Sequence, residues 1–299
     1  MDLKKLNAFG GGSAIIQYTP PMCYELAGER LEFAMDDGFD FILNFTDHEK
    51  LEWSWAGEAP KTADYMCLKA DDTTYLLSYE LADVTPRVNH TWVIDKENML
   101  VTRLLSRIGT NPKYPYLMKT DYVFGAIREE GKEVGVYPRH GFTSDIIGNV
   151  VQWAYASEMA TVHVYYCTDF YRITYPRDPS FSEEAKKMND MFATILKDIP
   201  SSDEPTKYIK IKEGMYLFSL TEANGEKLLG ANMGFRSNTM CFLQNFKRVY
   251  QMGRTFGTST TPNGDTKTHA MIGAYGKIVE ERDDALNKML SDPNPYLID

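Results

Sequence analysis

Glu222 is the residue whose position is hardest to explain by packing alone. It ends a stripe of alternate residues, Tyr216, Phe218, Leu220 and Glu222, that is otherwise apolar and aromatic. Side chains two apart on a strand share a face, so this carboxylate shares a face with two aromatic rings. If that face lines a barrel interior, loss of water disfavours the charged form and raises the pKa. The glutamate then becomes a credible general acid or base. His163 and Tyr165 share a second face, and Tyr171 shares a third with Ile173. Glu222, His163 and Tyr216 are therefore the candidate catalytic residues, with the imidazole and the phenol sharing the proton or polarising an oxygen. Trp153, Tyr165, Tyr171, Tyr208 and Phe218 are candidate ligand contacts. Arg172, Lys210 and His269 are candidates to orient an anionic group, and Arg172 or Lys210 could instead pair with the carboxylate. A plainer reading competes with this one: strand tyrosines usually pack with the hydroxyl at the rim.

Other chemistries lack their motifs. The five histidines show no HxxxH or HExxH spacing, and no Cys/His pair has zinc spacing. There is no GxSxG, Walker loop or dinucleotide fingerprint, so neither metal nor nucleotide cofactor is expected.

The elements that must position these residues are β-hairpins. Tyr208–Glu222 reads as two alternating strands around a Glu213-Gly214 turn. Tyr65–Glu80 repeats it, with Tyr-Leu-x-Ser in the second strand of each. Upstream, Gly28 lies over Gly148 and Phe33 over Trp153; downstream, the run around Met99 lies over that around Met240. Gly28 to Tyr75 is 75 − 28 = 47 positions and Gly148 to Tyr216 is 216 − 148 = 68, so a single insert of 68 − 47 = 21 reconciles the copies. Two copies of one domain are expected.

Composition agrees with two domains in 299 residues that are 43% hydrophobic. A net charge of −10 with scattered Lys and Arg argues against a nucleic-acid partner. No apolar run reaches membrane-spanning length and no secretory h-region is present, so a cytoplasmic protein with no membrane partner is expected. The four cysteines form no CxxC pair and lie far apart in sequence, as reduced thiols would. Self-association is left open.

In chain order, residues 1–24 read as an arm and 25–128 as eight short strands at hairpin spacing, a meander closing into a barrel. Residues 129–144 read as a linker, 145–280 as a second barrel and 281–299 as a tail. A capping box at Ser180–Glu183 and helical spacing of Ala185, Met188, Met191 and Ile195 predict a helical insert in the second barrel.

Val151-Gln-Trp-Ala-Tyr155, His163-Val-Tyr165, Tyr208-Ile-Lys-Ile211, Tyr216-Leu-Phe218, Glu222 and Ile272-Gly-Ala-Tyr275 resemble the C-terminal part of the MoaF family. Leu26-x-Gly28, Leu51-x-Trp53 and the Tyr65…Tyr75 hairpin resemble its N-terminal domain more loosely. The family is named for a genetic link to molybdenum cofactor biosynthesis, from which no pterin chemistry follows. The resemblance implies a mainly β chain of two tandem antiparallel calycin-like (lipocalin-like) barrels. Such barrels include small-molecule carriers and also cofactor-free enzymes with Tyr/Glu/Arg cavities. The expected function is a lyase or isomerase acting on a small, partly aromatic molecule in the second barrel; the alternative is a non-catalytic carrier.

Overall fold

The structure is a computed structural model, which describes residues 16–55, 57–82, 84–109, 118–129, 131–134, 138–157, 159–174, 201–223, 235–261 and 264–280. The described residues form two eight-stranded antiparallel barrels in tandem. The first contains β1 (Arg30–Met35), β2 (Phe41–Phe45), β3 (Lys50–Trp55), β4 (Lys61–Lys69), β5 (Thr74–Glu80), β6 (Arg87–Asp95), β7 (Leu100–Ile108) and β8 (Met118–Ile127). Each strand pairs with the next, and β1 closes on β8 with Phe33 opposite Ile127. After β9 (Gly141–Phe142) come β10 (Val150–Ala156), β11 (Met159–Val164), β12 (Phe170–Thr174), β13 (Ser201–Lys212), β14 (Met215–Thr221), β15 (Phe235–Asn245), β16 (Tyr250–Thr261) and β17 (Gly264–Glu280). This barrel closes where β10 pairs with β17, and β9 adds to the open side of β13. Closure consumes the backbone donors and acceptors that an open sheet leaves at its edges.

Period-2 patterning builds the walls. In β2, Phe41, Leu43 and Phe45 are buried while Ile42 and Asn44 are half-buried. Both barrels begin with the same device. Gly28 and Gly148 have φ of 84° and 95°, a region costly for any side chain. Each glycine amide then donates to the carbonyl of a core aromatic, Phe45 or Tyr165, at 2.7 Å.

The register refines the alignment of the copies. The offset is 148 − 28 = 120 at these glycines and 216 − 75 = 141 at Tyr75 and Tyr216, which face Lys69 and Lys210 respectively. Beyond the next hairpin, the turn residues with positive φ are Met99 and Val249, an offset of 249 − 99 = 150. There are thus two insertions, of 141 − 120 = 21 and 150 − 141 = 9 residues. Met99 corresponds to Val249 and not to Met240, because turn geometry fixes register where local composition misleads. The helical insert expected from Ser180 onward and the tail expected after 280 lie outside the described residues.

The barrels share a seam of outward-facing side chains. Leu68, Leu76, Val93 and Leu104 of the first pack against Ile209, Leu217, Leu243 and Met271 of the second in one buried cluster. Arg254 is fully buried there; it donates to Thr91 Oγ1 at 2.9 Å, Ser106 Oγ at 2.8 Å and the Thr239 carbonyl at 2.7 Å. Arg87 lies over the Phe256 ring, clasps Glu80 and reaches the Gly257 carbonyl. Lys212 joins Asp71 and Glu97 at 2.8 and 2.9 Å.

All four cysteines are free thiols. Cys23 and Cys67, distant in sequence, nevertheless meet. The Cys23 amide donates to the Cys67 carbonyl at 2.8 Å, and a thiol–thiol hydrogen bond pulls Cys23 down to about 6 while pushing Cys67 up.

Candidate active site

The interior of the second barrel is organised around Phe218. His163, Tyr165, Tyr171, Tyr208 and Phe242 surround its ring at centroid distances of 4.8–6.2 Å. Most of these contacts are edge-to-face or tilted, the arrangement that aromatic quadrupoles favour. Their hydroxyls and amides form a continuous chain. Trp153 Nε1 donates to the Tyr165 hydroxyl at 2.9 Å and Gln244 Nε2 donates to it at 2.7 Å; Gln244 Nε2 also reaches Gln251 Oε1 at 2.9 Å. Gln251 Nε2 in turn donates to the Tyr155 hydroxyl at 3.0 Å. The network satisfies most of the polar atoms that these strands turn inward.

His163 sits between Thr161 Oγ1 at 3.0 Å and the Tyr165 hydroxyl at 3.3 Å. Burial depresses its pKa to about 3, so the imidazole is neutral at ordinary pH. It can hold a hydrogen bond but has no proton charge to donate.

Glu222 follows β14 and continues the inward stripe. Asn238 Nδ2 donates to Glu222 Oε2 at 2.8 Å, and Thr255 Oγ1 donates to Asn238 Oδ1 at 2.8 Å, which fixes the amide's orientation. The Glu222 amide also donates to the Asn238 carbonyl at 3.0 Å. Burial of the carboxyl pushes its pKa up to about 7; Asn238 pulls it down, and the neighbouring Glu204 pushes it up again. The rest of the residue is partly exposed, so the carboxyl lies just below the surface at one end of the barrel. Burial raises the Tyr155 phenol, and the Glu222 charge raises it further, which places Tyr155 within electrostatic reach of the carboxylate.

The structure brings Trp153, His163, Tyr165, Tyr171, Tyr208 and Phe218 together in the barrel core. Tyr216 belongs to the same apolar cluster, but it lies 222 − 216 = 6 residues from Glu222 along an extended chain. At ~3.3 Å per residue that is about 20 Å, too far to share a proton. Lys210 pairs with Asp145 at 2.7 Å and Glu213 at 3.0 Å near the Tyr216 end. Arg172 points outward to Asp203 at 2.8 Å, because it alternates with the buried Tyr171. His269 faces the seam, where its Nε2 meets Ser78 Oγ at 2.9 Å and Asn89 Nδ2 at 3.1 Å. None of these three side chains stands beside Glu222.

The MoaF N-terminal domain family matches residues 2–110. Over this part the chain is similar to the MoaF family. Among curated proteins none matches the chain. A crystal structure of a protein from Burkholderia vietnamiensis, described as a candidate beta-lactamase, aligns over 37% of this chain and 96% of its own, at 16% identity and a TM-score of 0.28. The MoaF match spans β1–β7, so Glu222, Glu204 and the aromatic core around Phe218 all lie beyond the matched residues.

Three residues around Glu222 were not among those expected from sequence. Glu204 is buried at 2% exposure and shares its face with Thr206 and Tyr208. Carrying the alternation back through Pro205 would have found it; the proline, tolerated at the start of the β13–β14 ladder, hides the continuation. Tyr155 was legible as the next inward residue after Trp153. Asn238 had no signal of its own, since its role depends on cross-strand pairing opposite Glu222. Among the described residues, no group of three His, Cys, Asp or Glu side chains is placed to hold a metal ion. No helix among them is long and apolar enough to cross a membrane.

Proposed function

We propose that the second barrel takes up a small, partly aromatic organic molecule and that the protein acts on it as a lyase or isomerase, with Glu222 as the proton carrier. The observation that carries this reading is a carboxyl with a pKa near 7, oriented by Asn238 and backed by Thr255. Such a group is half-ionised at neutral pH and can both remove and return a proton. In an isomerisation, Glu222 takes a proton from carbon beside a carbonyl and returns it at a conjugated position. Tyr155, held by Gln251 and close enough to feel the Glu222 charge, is the donor assigned to the developing oxyanion. His163 and Tyr165 shape the apolar floor and take no proton. These steps use only the chain's own side chains, and the free thiols suit a cytoplasmic setting.

The test is turnover of a panel of phenolic and enone acids. Glu222→Gln should abolish conversion while leaving the fold intact, and Tyr155→Phe should lower the rate about 10²–10³-fold. Tyr216→Phe should be close to wild type. Full activity in Glu222→Gln would remove the assignment. A second reading, a passive carrier, is favoured by the largely hydrogen-bonded aromatic core, which needs no chemistry to explain it. A hydrophobic passenger retained in a native mass spectrum, with no conversion of the panel, would support the carrier.

A further inference from the structure

The first barrel turns four polar groups inward that have no hydrogen-bond partner among the described residues: the Tyr79 hydroxyl, His90 Nδ1, the Trp92 indole N–H and Arg103 Nε. All four residues are at most 6% exposed. They come from three adjacent strands, with Tyr79 opposite His90 and Trp92 opposite Arg103, so they form one patch on the inner wall. Tyr79 and Trp92 lie close to each other, but their polar atoms do not complete a hydrogen bond. Orphaned buried donors typically cost ~1–3 kcal/mol each and are rarely left in a cluster.

The patch is rich in donors. The indole and the guanidinium can only donate, and the phenol can donate. Burial and the nearby Arg103 and Arg107 hold His90 neutral, near a pKa of 3, so one of its ring nitrogens also carries a proton to give. Arg103 spends one terminal nitrogen on Asp37 at 2.9 Å, leaving its Nε–H over. Flat apolar surface surrounds the donors. The guanidinium lies 4.7 Å from the Phe41 ring centroid, and Phe41 packs on Trp53 and Trp92 at 6.3 and 5.1 Å.

We infer that the first barrel holds a second, separate ligand site, for a small aromatic carboxylate whose oxygens meet Arg103, Tyr79 and Trp92 while its ring lies against Phe41 and Trp53. The second copy lacks this arrangement. At the corresponding offsets of 141 and 150, Leu220 stands for Tyr79, Met240 for His90, Phe242 for Trp92 and Gly253 for Arg103. The side chains that would receive an anion in one barrel are therefore apolar or missing in the other. The two interiors have diverged toward different ligands.

The experiment is calorimetric titration of the full chain with benzoate, cinnamate and indole-3-acetate, up to about 10 mM, beside the neutral benzamide. Three of the four tryptophans, Trp53, Trp55 and Trp92, lie in the first barrel, so quenching of tryptophan emission gives a second readout. At least one acid should bind saturably, and benzamide at least about tenfold more weakly. Tyr79→Phe and Arg103→Met should each weaken the acid by about tenfold or more, whereas Glu222→Gln should leave it unchanged. Tyr79→Phe removes one buried hydroxyl and keeps the ring, so it remains informative if Arg103→Met fails to fold. Absence of saturable binding by all three acids would overturn the inference. So would binding that survives Tyr79→Phe undiminished, or binding lost in Glu222→Gln, which would move it to the other barrel.

Discussion

Replacing Glu222 by glutamine gives a prediction whose size follows from the site itself. Glutamine keeps the shape and can still accept from Asn238, but it cannot ionise. In the folded protein the glutamate pKa is raised from 4.5 to about 7, mainly by burial. Below about pH 4.5 the carboxyl is protonated in both folded and unfolded chains and contributes no pH dependence. Between the two values the unfolded chain loses the proton first, so rising pH drains stability from the wild type. Above about pH 7 both states are ionised and the loss levels off. At 1.36 kcal/mol per unit the full loss is about 3 kcal/mol; partial exposure of the residue reduces it to about 2–3 kcal/mol. Glu222→Gln lacks this loss. Urea unfolding of both proteins at about pH 4 and about pH 8 should therefore show the variant gaining about 2–3 kcal/mol on the wild type across that interval, with unchanged m-values. Parallel pH dependence in the two proteins would mean that the carboxyl is solvated, and the reasoning about Glu222 would fail.

Phe218→Ala removes the ring at the centre of the second core and should cost about 3–5 kcal/mol in urea unfolding. Gly148→Ala forces a side chain into φ 95° and should cost about 1–2 kcal/mol, read as a fall in Tm. Arg254→Ala leaves the Thr239 carbonyl without its guanidinium donor and opens a void in the seam. It should cost about 3 kcal/mol or more and separate one cooperative transition into two.

The tandem barrels were legible because half-buried strands betray themselves by alternation, and the glycine pair Gly28 and Gly148 by its fixed place ahead of an aromatic. The strands in the Thr-rich stretch from 255 to 268 run well past the boundaries that apolar alternation suggests. Polar residues in such strands pair through their backbones, which a side-chain pattern does not record. Glu222 and the aromatic core could be found from parity. Tyr216 could not be separated from them, since parity fixes a face and says nothing of depth along the barrel. Arg172 and His269 failed for a related reason: which face of a strand turns inward is decided by neighbouring strands. The polar patch in the first barrel was invisible because Tyr79, His90, Trp92 and Arg103 are scattered over 25 positions and converge only through pairing.

The most direct test of the central claim is the titration of the Glu222 carboxyl itself, followed by carbon NMR with the signal assigned through its loss in Glu222→Gln. A midpoint close to 7 is the expected result. A midpoint near the ordinary glutamate value of about 4.3 would place the carboxylate in water and contradict it.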